Sequence, residues 1–399
     1  MGKYIEIATR ALDAGEYRKA LEYAQKALAR DAYNIEAINT AALAATSLGE
    51  YQKAVVFYEQ ALLIQGETPE IYCNLGLLYE NMGDHKGAIK IYREALTLAP
   101  DSPDIYQNLA NSLGEVGELE AALAAYDEAL RRDPGRPDAL YNKAVTLNHA
   151  GRYKDASALF ARLLKDNPDD VEGMEGLAYS LGSMGDLIEA LSMYERAAEL
   201  APNQPSVHHN MALVLESLDR KDEAVEALDM ALELDPEFPG ALLEKANILG
   251  DLGRDDEALT LYDIEAERVP DDPLIFYNRG ISLARLGRQE EALADFDRAL
   301  SLDPSNLDAM NNKGNVLLAL GAPERALELF DAIAKADRKN VKALYNKACA
   351  LARLGDAKGA GAALRRAAQF DKTVVDDASA DPDFDEVRDA PAFNLALNQ

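Results

Sequence analysis

Residues 69–102 read PEIYCNLGLLYENMGDHKGAIKIYREALTLAPDS, and nearly the whole chain is this 34-residue unit written again. Gly83 has counterparts 34 residues apart at Gly15, Gly49, Gly117, Gly151, Gly185, Gly253, Gly287, Gly321 and Gly355, and only Asp219 breaks the series. Ala88 belongs to a series without exception, from Ala20 to Ala360. A fixed period of this length marks stacked supersecondary units, none of which buries its apolar face alone. The register places eleven units over residues 1–374, starting at 1, 35, 69, 103, 137, 171, 205, 239, 273, 307 and 341. A tail, 375–399, falls outside it.

Each unit predicts two helices. Ile71, Leu75, Leu78 and Met82 recur every three to four residues, the period of an amphipathic helix. Gly83 stops that helix, because the residue after a helix often takes the left-handed conformation that glycine adopts cheaply. Ala88, Tyr92, Ala95 and Leu96 then mark the inner face of a second helix, which Pro100 ends. Thr68–Pro69, Ser102–Pro103 and Asp272–Pro273 each read as an N-cap followed by proline at the first helical position. The eighth residue of every unit is Ala or Gly, as at Ala42, Gly76, Ala110, Gly280 and Gly314, so helix axes can approach closely there.

On these residues the chain resembles the tetratricopeptide repeat family. Asn74-Leu75-Gly76, Tyr79, Gly83, Ala88, Tyr92, Ala95 and Pro100 sit on the family's motif positions. The resemblance implies an all-α, right-handed solenoid superhelix of helix-turn-helix units whose first helices line a concave groove. It also implies a protein that binds proteins or peptides.

Composition narrows the function. The net charge is −29, which argues against nucleic-acid binding and favours partners with a basic segment. No run of 18 or more apolar residues occurs, so membrane insertion is not expected. Cys73 and Cys349 lie too far apart in such an array to pair, consistent with a reducing, cytoplasmic setting. His85, His149, His208 and His209 match no metal-ligand spacing and no nucleophile–base arrangement, so no catalytic residue, metal or cofactor is expected.

The groove that the resemblance implies would be lined by unit positions 2, 6, 9 and 13. Position 6 is asparagine at Asn74, Asn108, Asn142, Asn210, Asn278, Asn312 and Asn346. Asparagine is a mediocre helix former, and its amide can both donate to and accept from a peptide backbone. These seven are candidate binding residues, with hydrogen bonding between units as the alternative. Tyr141, Tyr179, Tyr277 and Tyr345 add aromatic contact area, as does His209. Glu36, Glu70, Glu80, Asp104, Glu115, Asp138, Glu172, Glu175, Glu216 and Glu244 make the early groove acidic, while Arg285, Lys342 and Arg353 make the last three units partly basic.

Several residues depart from the pattern. Glu265 replaces a small residue that should pack between helices, and Lys245 or Arg279 is its expected partner. Lys143, Lys245, Arg279, Lys313 and Lys347 stand where Leu75, Leu109 and Leu177 stand elsewhere, and their stems are expected to pack while the tips reach solvent. Gly173, Gly176 and Gly182 should weaken one helix, and Gly359 with Gly361 should fray another. The tail reads as a cap of short helices carrying Phe384, Val387, Phe393 and Leu397. Its Asp381, Asp383 and Asp385 begin like a calcium loop, but Glu386 and Ala392 stand where Gly and Glu are required. The reading is a non-enzymatic binding scaffold; the alternative is a self-assembling one, a homo-oligomer formed through the solenoid ends or the tail.

Overall fold

The computed structural model describes residues 2–398, and among them every regular element is a helix. The chain divides into two compact units, Met1–Pro202 and Asn203–Gln399. The first holds α1 (Gly2–Asp13), α2 (Tyr17–Leu28), α3 (Ile35–Ser47), α4 (Tyr51–Gln65), α5 (Pro69–Asn81), α6 (His85–Leu98), α7 (Pro103–Glu115), α8 (Leu119–Arg132), α9 (Pro137–His149), α10 (Tyr153–Asp166), α11 (Val171–Met184) and α12 (Leu187–Leu200). The second holds α13 (Pro205–Ser217), α14 (Lys221–Leu234), α15 (Ala241–Asp251), α16 (Asp255–Arg268), α17 (Pro273–Arg285), α18 (Gln289–Leu302), α19 (Leu307–Ala319), α20 (Pro323–Ala336), α21 (Val341–Arg353) and α22 (Ala357–Ala368). It ends with α23 (Thr373–Ala380), a short 3-10 turn (Pro382–Phe384) and α24 (Pro391–Asn398).

Local chemistry sets the helix ends. Thr68, Ser102 and Asp272 accept hydrogen bonds from the backbone N–H groups of Ile71, Ile105 and Leu274, and proline follows each. Between the two helices of a pair the chain turns through one left-handed residue. Gly83 has φ +75°, and at the same place Asp219 takes φ +59° as the one described non-glycine residue with a positive φ.

Within a pair, a small residue meets a ring. A Cβ on Gly76 would lie 2.3 Å from Cε1 of Tyr92, and one on Gly314 would lie 2.6 Å from Phe330. The same contact accounts for Gly176, where a Cβ would stand 2.3 Å from the ring of Phe160 in the preceding second helix. With its three glycines, α11 still runs without a break from Val171 to Met184. Nor is α22 frayed: it is continuous, Gly361 is buried, and Asp356 caps it by accepting from Gly359 N.

At five junctions a charge ties one pair to the next. Lys143 bonds Asp127 at 2.5 Å, and Lys313 and Lys347 bond Asp297 and Asp331 at the same distance. Lys245 pairs with Asp229, and Arg279 bonds Asp263 at 2.8 Å as well as Asp295 at 2.7 Å. In every case a cation sixteen residues on reaches an aspartate of the preceding second helix. The tips therefore meet fixed carboxylates rather than open solvent. This also overturns the expected partner of Glu265, since Lys245 and Arg279 are already taken. Glu265 sits half-buried without an ion pair among the described residues. A further clamp recurs at the pair ends, where Arg162, Arg196 and Arg298 donate to the carbonyls of Pro134, Pro168 and Pro270.

Candidate functional site

The stripe of each first helix that is not packed against its partner carries the candidate residues. In the first unit this stripe comes from α3, α5, α7, α9 and α11. Glu36, Glu70, Asp104, Asp138 and Glu172 stand at its second unit position, and all five are exposed. Asp104 is held by Arg136 at 2.6 Å, and Glu80 accepts from the buried Ser112 hydroxyl. Glu36, Glu70, Glu115, Asp138 and Glu172 are in no ion pair among the described residues. Tyr179 is 51% exposed, with its ring edge against Tyr153, whereas Tyr141 is half-buried against Phe160.

Five of the asparagines donate to the preceding helix pair. Asn108 Nδ2 reaches Cys73 Sγ at 3.6 Å, and Asn142 Nδ2 donates to Asn111 Oδ1 at 3.2 Å. In the second unit Asn278 donates to Asn247 at 2.8 Å, Asn312 to Tyr277 Oη at 3.4 Å, and Asn346 to both Asn311 and Asn315 at 2.9 Å. Tyr126 and Tyr262 donate their hydroxyls to the same acceptors, Asn111 and Asn247. Asn74 and Asn210 are half-buried, with Asn210 beside His209. Asn346 has both N–H groups engaged, whereas Asn108, Asn142, Asn278 and Asn312 each spend one of two N–H donors on the stack.

The acceptors Asn111, Asn247 and Asn315 were not among the candidates. Their signal was a recurrent spacing of 31 residues to Asn142, Asn278 and Asn346. Glu244 replaces the position-6 asparagine in its own unit. Its Oε2 lies 2.7 Å from His209 Nε2, and that hydrogen bond raises the imidazole pKa above its ordinary 6.5 despite burial.

Three recesses open on this stripe at equivalent unit positions. One in the first unit, about 420 Å³, is lined by Asn111, Gly114, Glu115, Tyr126, Asn142 and His149. The second unit has one of about 250 Å³ around Asn247, Gly250, Asp251 and Asn278. Its neighbour, about 320 Å³, is lined by Ile281, Gln289, Phe296, Asn312, Asn315 and Val316. Arg285 borders both; its side chain is 49% exposed and donates to Gly250 O at 2.6 Å.

The other basic candidates divide. Lys342 is exposed. Arg353 is occupied: it bonds Asp383 at 2.5 Å and Leu318 O at 2.8 Å. Tyr345 donates to Asp381 Oδ2 at 2.7 Å, and its ring packs on Phe384. The protein's own tail thus supplies the carboxylates at this end of the stripe. Cys349 joins Asp381 and Asp383 in a cluster of potential ligand atoms, but Arg353 already provides the positive charge there. Burial, with Asp381 beside it, pushes the Cys349 thiol well above its ordinary value.

Models of the tetratricopeptide repeat match the chain over residues 42–83, 67–135 and, in overlapping segments, 108–373. The chain belongs to the tetratricopeptide repeat family. Tetratricopeptide repeats are protein-interaction modules, and an α-solenoid of stacked helix pairs is their fold. No curated protein is significantly similar to the chain. Among solved structures, a tetratricopeptide repeat protein from Parabacteroides merdae is 18% identical, with 61% of this chain and 97% of that one covered and a TM-score of 0.47. Yeast Tom70 is 16% identical over 100% of this chain and 98% of its own, with a TM-score of 0.42. MamA from Desulfovibrio magneticus RS-1 is 19% identical over 44% of this chain and 99% of its own, with a TM-score of 0.41. The family assignment rests on the sequence match.

Proposed function

We propose that this tetratricopeptide protein is a non-enzymatic scaffold that captures a basic segment of a partner protein on the first-helix stripe of its first unit. The observation that carries this is the row of exposed carboxylates, Glu36, Glu70, Asp138 and Glu172, at one unit position of successive first helices. Part of that preference is the ordinary one of acidic residues for helix N-termini, but the second unit has Ser206, Gly240, Leu274 and Lys342 at the corresponding places and a single carboxylate, Asp308. Residues 1–374 are read as the binding array and 375–399 as its cap, since Phe384, Val387 and Phe393 are buried with the last helix pair. No described helix is long and apolar enough to cross a membrane, and the two free cysteines fit a reducing cytoplasm.

The test is fluorescence anisotropy with lysine- and arginine-rich peptides and with acidic peptides of equal length, at low and moderate salt. Basic peptides should bind selectively, lose affinity as salt rises, and weaken with Glu70→Gln, Asp138→Gln and Glu172→Gln combined. Equal binding of acidic peptides, or indifference to the triple change, would sink the proposal.

A further inference from the structure

Two of the recesses share a floor and differ in one wall. Between α7 and α9, Asn111 Oδ1 accepts from Tyr126 and Asn142, and the space above Gly114 is open, with nothing within 4 Å of an added Cβ. Four repeats later, between α15 and α17, Asn247 accepts from Tyr262 and Asn278 in the same way, and Gly250 matches Gly114. There the chain fills the space itself. Arg285 reaches back from α17, donates to Gly250 O at 2.6 Å and stands 3.5 Å from Asp255. In the first unit His149 takes the place of Arg285 and makes no such bond among the described residues. The recess is larger to match, about 420 Å³ against about 250 Å³. The rims differ as well. Asp251 of the second unit is held by Lys221 at 3.0 Å. Its counterpart Glu115 is exposed and in no ion pair among the described residues, with His85 at the place of Lys221.

We infer that the recess between α7 and α9 seats an arginine side chain of the bound partner, its guanidinium set on Gly114 O and Glu115. This rests on the proposal that a basic segment lies along the first-helix stripe, and it names the residue that anchors the segment. The second unit shows that such a floor accepts a guanidinium. Gly250 O takes Arg285 while also accepting from Gly253 N, and Gly114 O accepts from Gly117 N in the same way. Both carbonyls lie in the last turn of a helix, the end that favours a cation. Arg285 has the Asp255 carboxylate beside its carbonyl; Leu119 stands at the place of Asp255 in the first unit, so the carboxylate for a guest comes from Glu115 on the rim of the recess. Val145 gives the methylene stem an apolar wall. Arginine fits better than lysine because its planar fork can meet a carbonyl and a carboxylate at once, whereas an ammonium is a compact, strongly hydrated point charge.

The test is fluorescence anisotropy on the full chain with two labelled nonapeptides, one of alternating lysine and glycine, the other with its central lysine replaced by arginine. The arginine peptide should bind about tenfold more tightly. Glu115→Gln should erase that advantage. His149→Arg should erase it too, by seating the chain's own guanidinium as Arg285 does. Equal binding of the two peptides, or an arginine preference that survives both changes, would overturn the recess and leave the stripe standing. A second probe does not depend on the stripe: Nα-acetylarginine amide, followed through the imidazole proton signals of His149, one of only four histidines. Those signals should move with the arginine amide, stay put with the lysine amide, and stop responding in Glu115→Gln. Peptides that fail to bind while His149 still responds would sink the stripe and uphold the recess. A His149 signal that answers neither the arginine peptide nor the arginine amide would overturn the inference.

Discussion

Replacing Asn247 by alanine tests what the asparagine ladder is for. Asn247 Oδ1 accepts two hydrogen bonds, from Tyr262 Oη and from Asn278 Nδ2, each at 2.8 Å. Tyr262 is 2% exposed, and burial raises its phenol pKa, so it remains a donor. Asn247→Ala removes both bonds, each worth about 1 kcal/mol, and strands a buried hydroxyl at a further cost of about 1 kcal/mol or more. The total is about 3 kcal/mol. Asn278→Ala removes one bond and leaves Asn247 paired with Tyr262, a loss of about 1 kcal/mol. Tyr262→Phe should cost a similar amount. Urea titrations by circular dichroism give the ranking. Hydrogen exchange across α15, α16 and α17 locates it, because repeat arrays can open locally. An Asn247→Ala cost no larger than that of Asn278→Ala would refute the shared-acceptor account. If Asn278→Ala costs no stability but abolishes peptide binding, the ladder serves the ligand rather than the stack.

Asp219→Gly should stabilise the second unit by about 0.5–1 kcal/mol, read as a higher melting temperature, because glycine takes the φ of +59° without the Cβ penalty. Arg279→Leu should cost about 3 kcal/mol in urea unfolding, since it leaves Asp295, 9% exposed, as an unpaired charge. Lys313→Leu should cost at most about 1 kcal/mol, because its partner Asp297 is 53% exposed. His209 carries a pH dependence of defined sign. Its folded pKa is raised above 6.5 by Glu244, so its contribution is complete below pH 6.5 and fades as pH rises through the folded value. His209→Gln should therefore lower the melting temperature most in mildly acidic buffer and least in alkaline buffer, and a constant deficit would contradict this.

The features legible in the sequence were those that one residue decides locally. Gly83 and Asp219 had to sit at a left-handed turn, and Thr68, Ser102 and Asp272 had to cap helices, whatever lay around them. Glu265 shows where that reasoning stops. Repeat spacing alone points Glu265 to Lys245 or Arg279, but those side chains lie on different helices, where Asp229, Asp263 and Asp295 hold the same cations. The position-6 asparagines stand out in the sequence, but their partners do not, because the spacing of 31 residues has meaning only once two first helices lie side by side. Gly176 read as a weak point for the same reason: a missing Cβ looks like lost helix propensity until Phe160 fills its place. At the basic end of the stripe, Arg353 looked free because nothing in the repeat predicts where Asp383 of the tail will settle.

The cation–aspartate link sixteen residues apart has a consequence for how such an array can be extended. Lys143, Lys245, Lys313 and Lys347 each depend on an aspartate contributed by the unit before. Where Leu75, Leu109 and Leu177 stand instead, the preceding unit offers Glu59, Arg93 and Ala161 rather than aspartate. The units are thus not interchangeable bricks. A copy transplanted from a lysine junction to the Leu109 or Leu177 junction would arrive with a cation facing arginine or alanine in place of a counter-charge. Duplication in place of a unit with matching ends would carry its own complement. Growth by tandem copying of neighbours is compatible with these joints in a way that free shuffling is not.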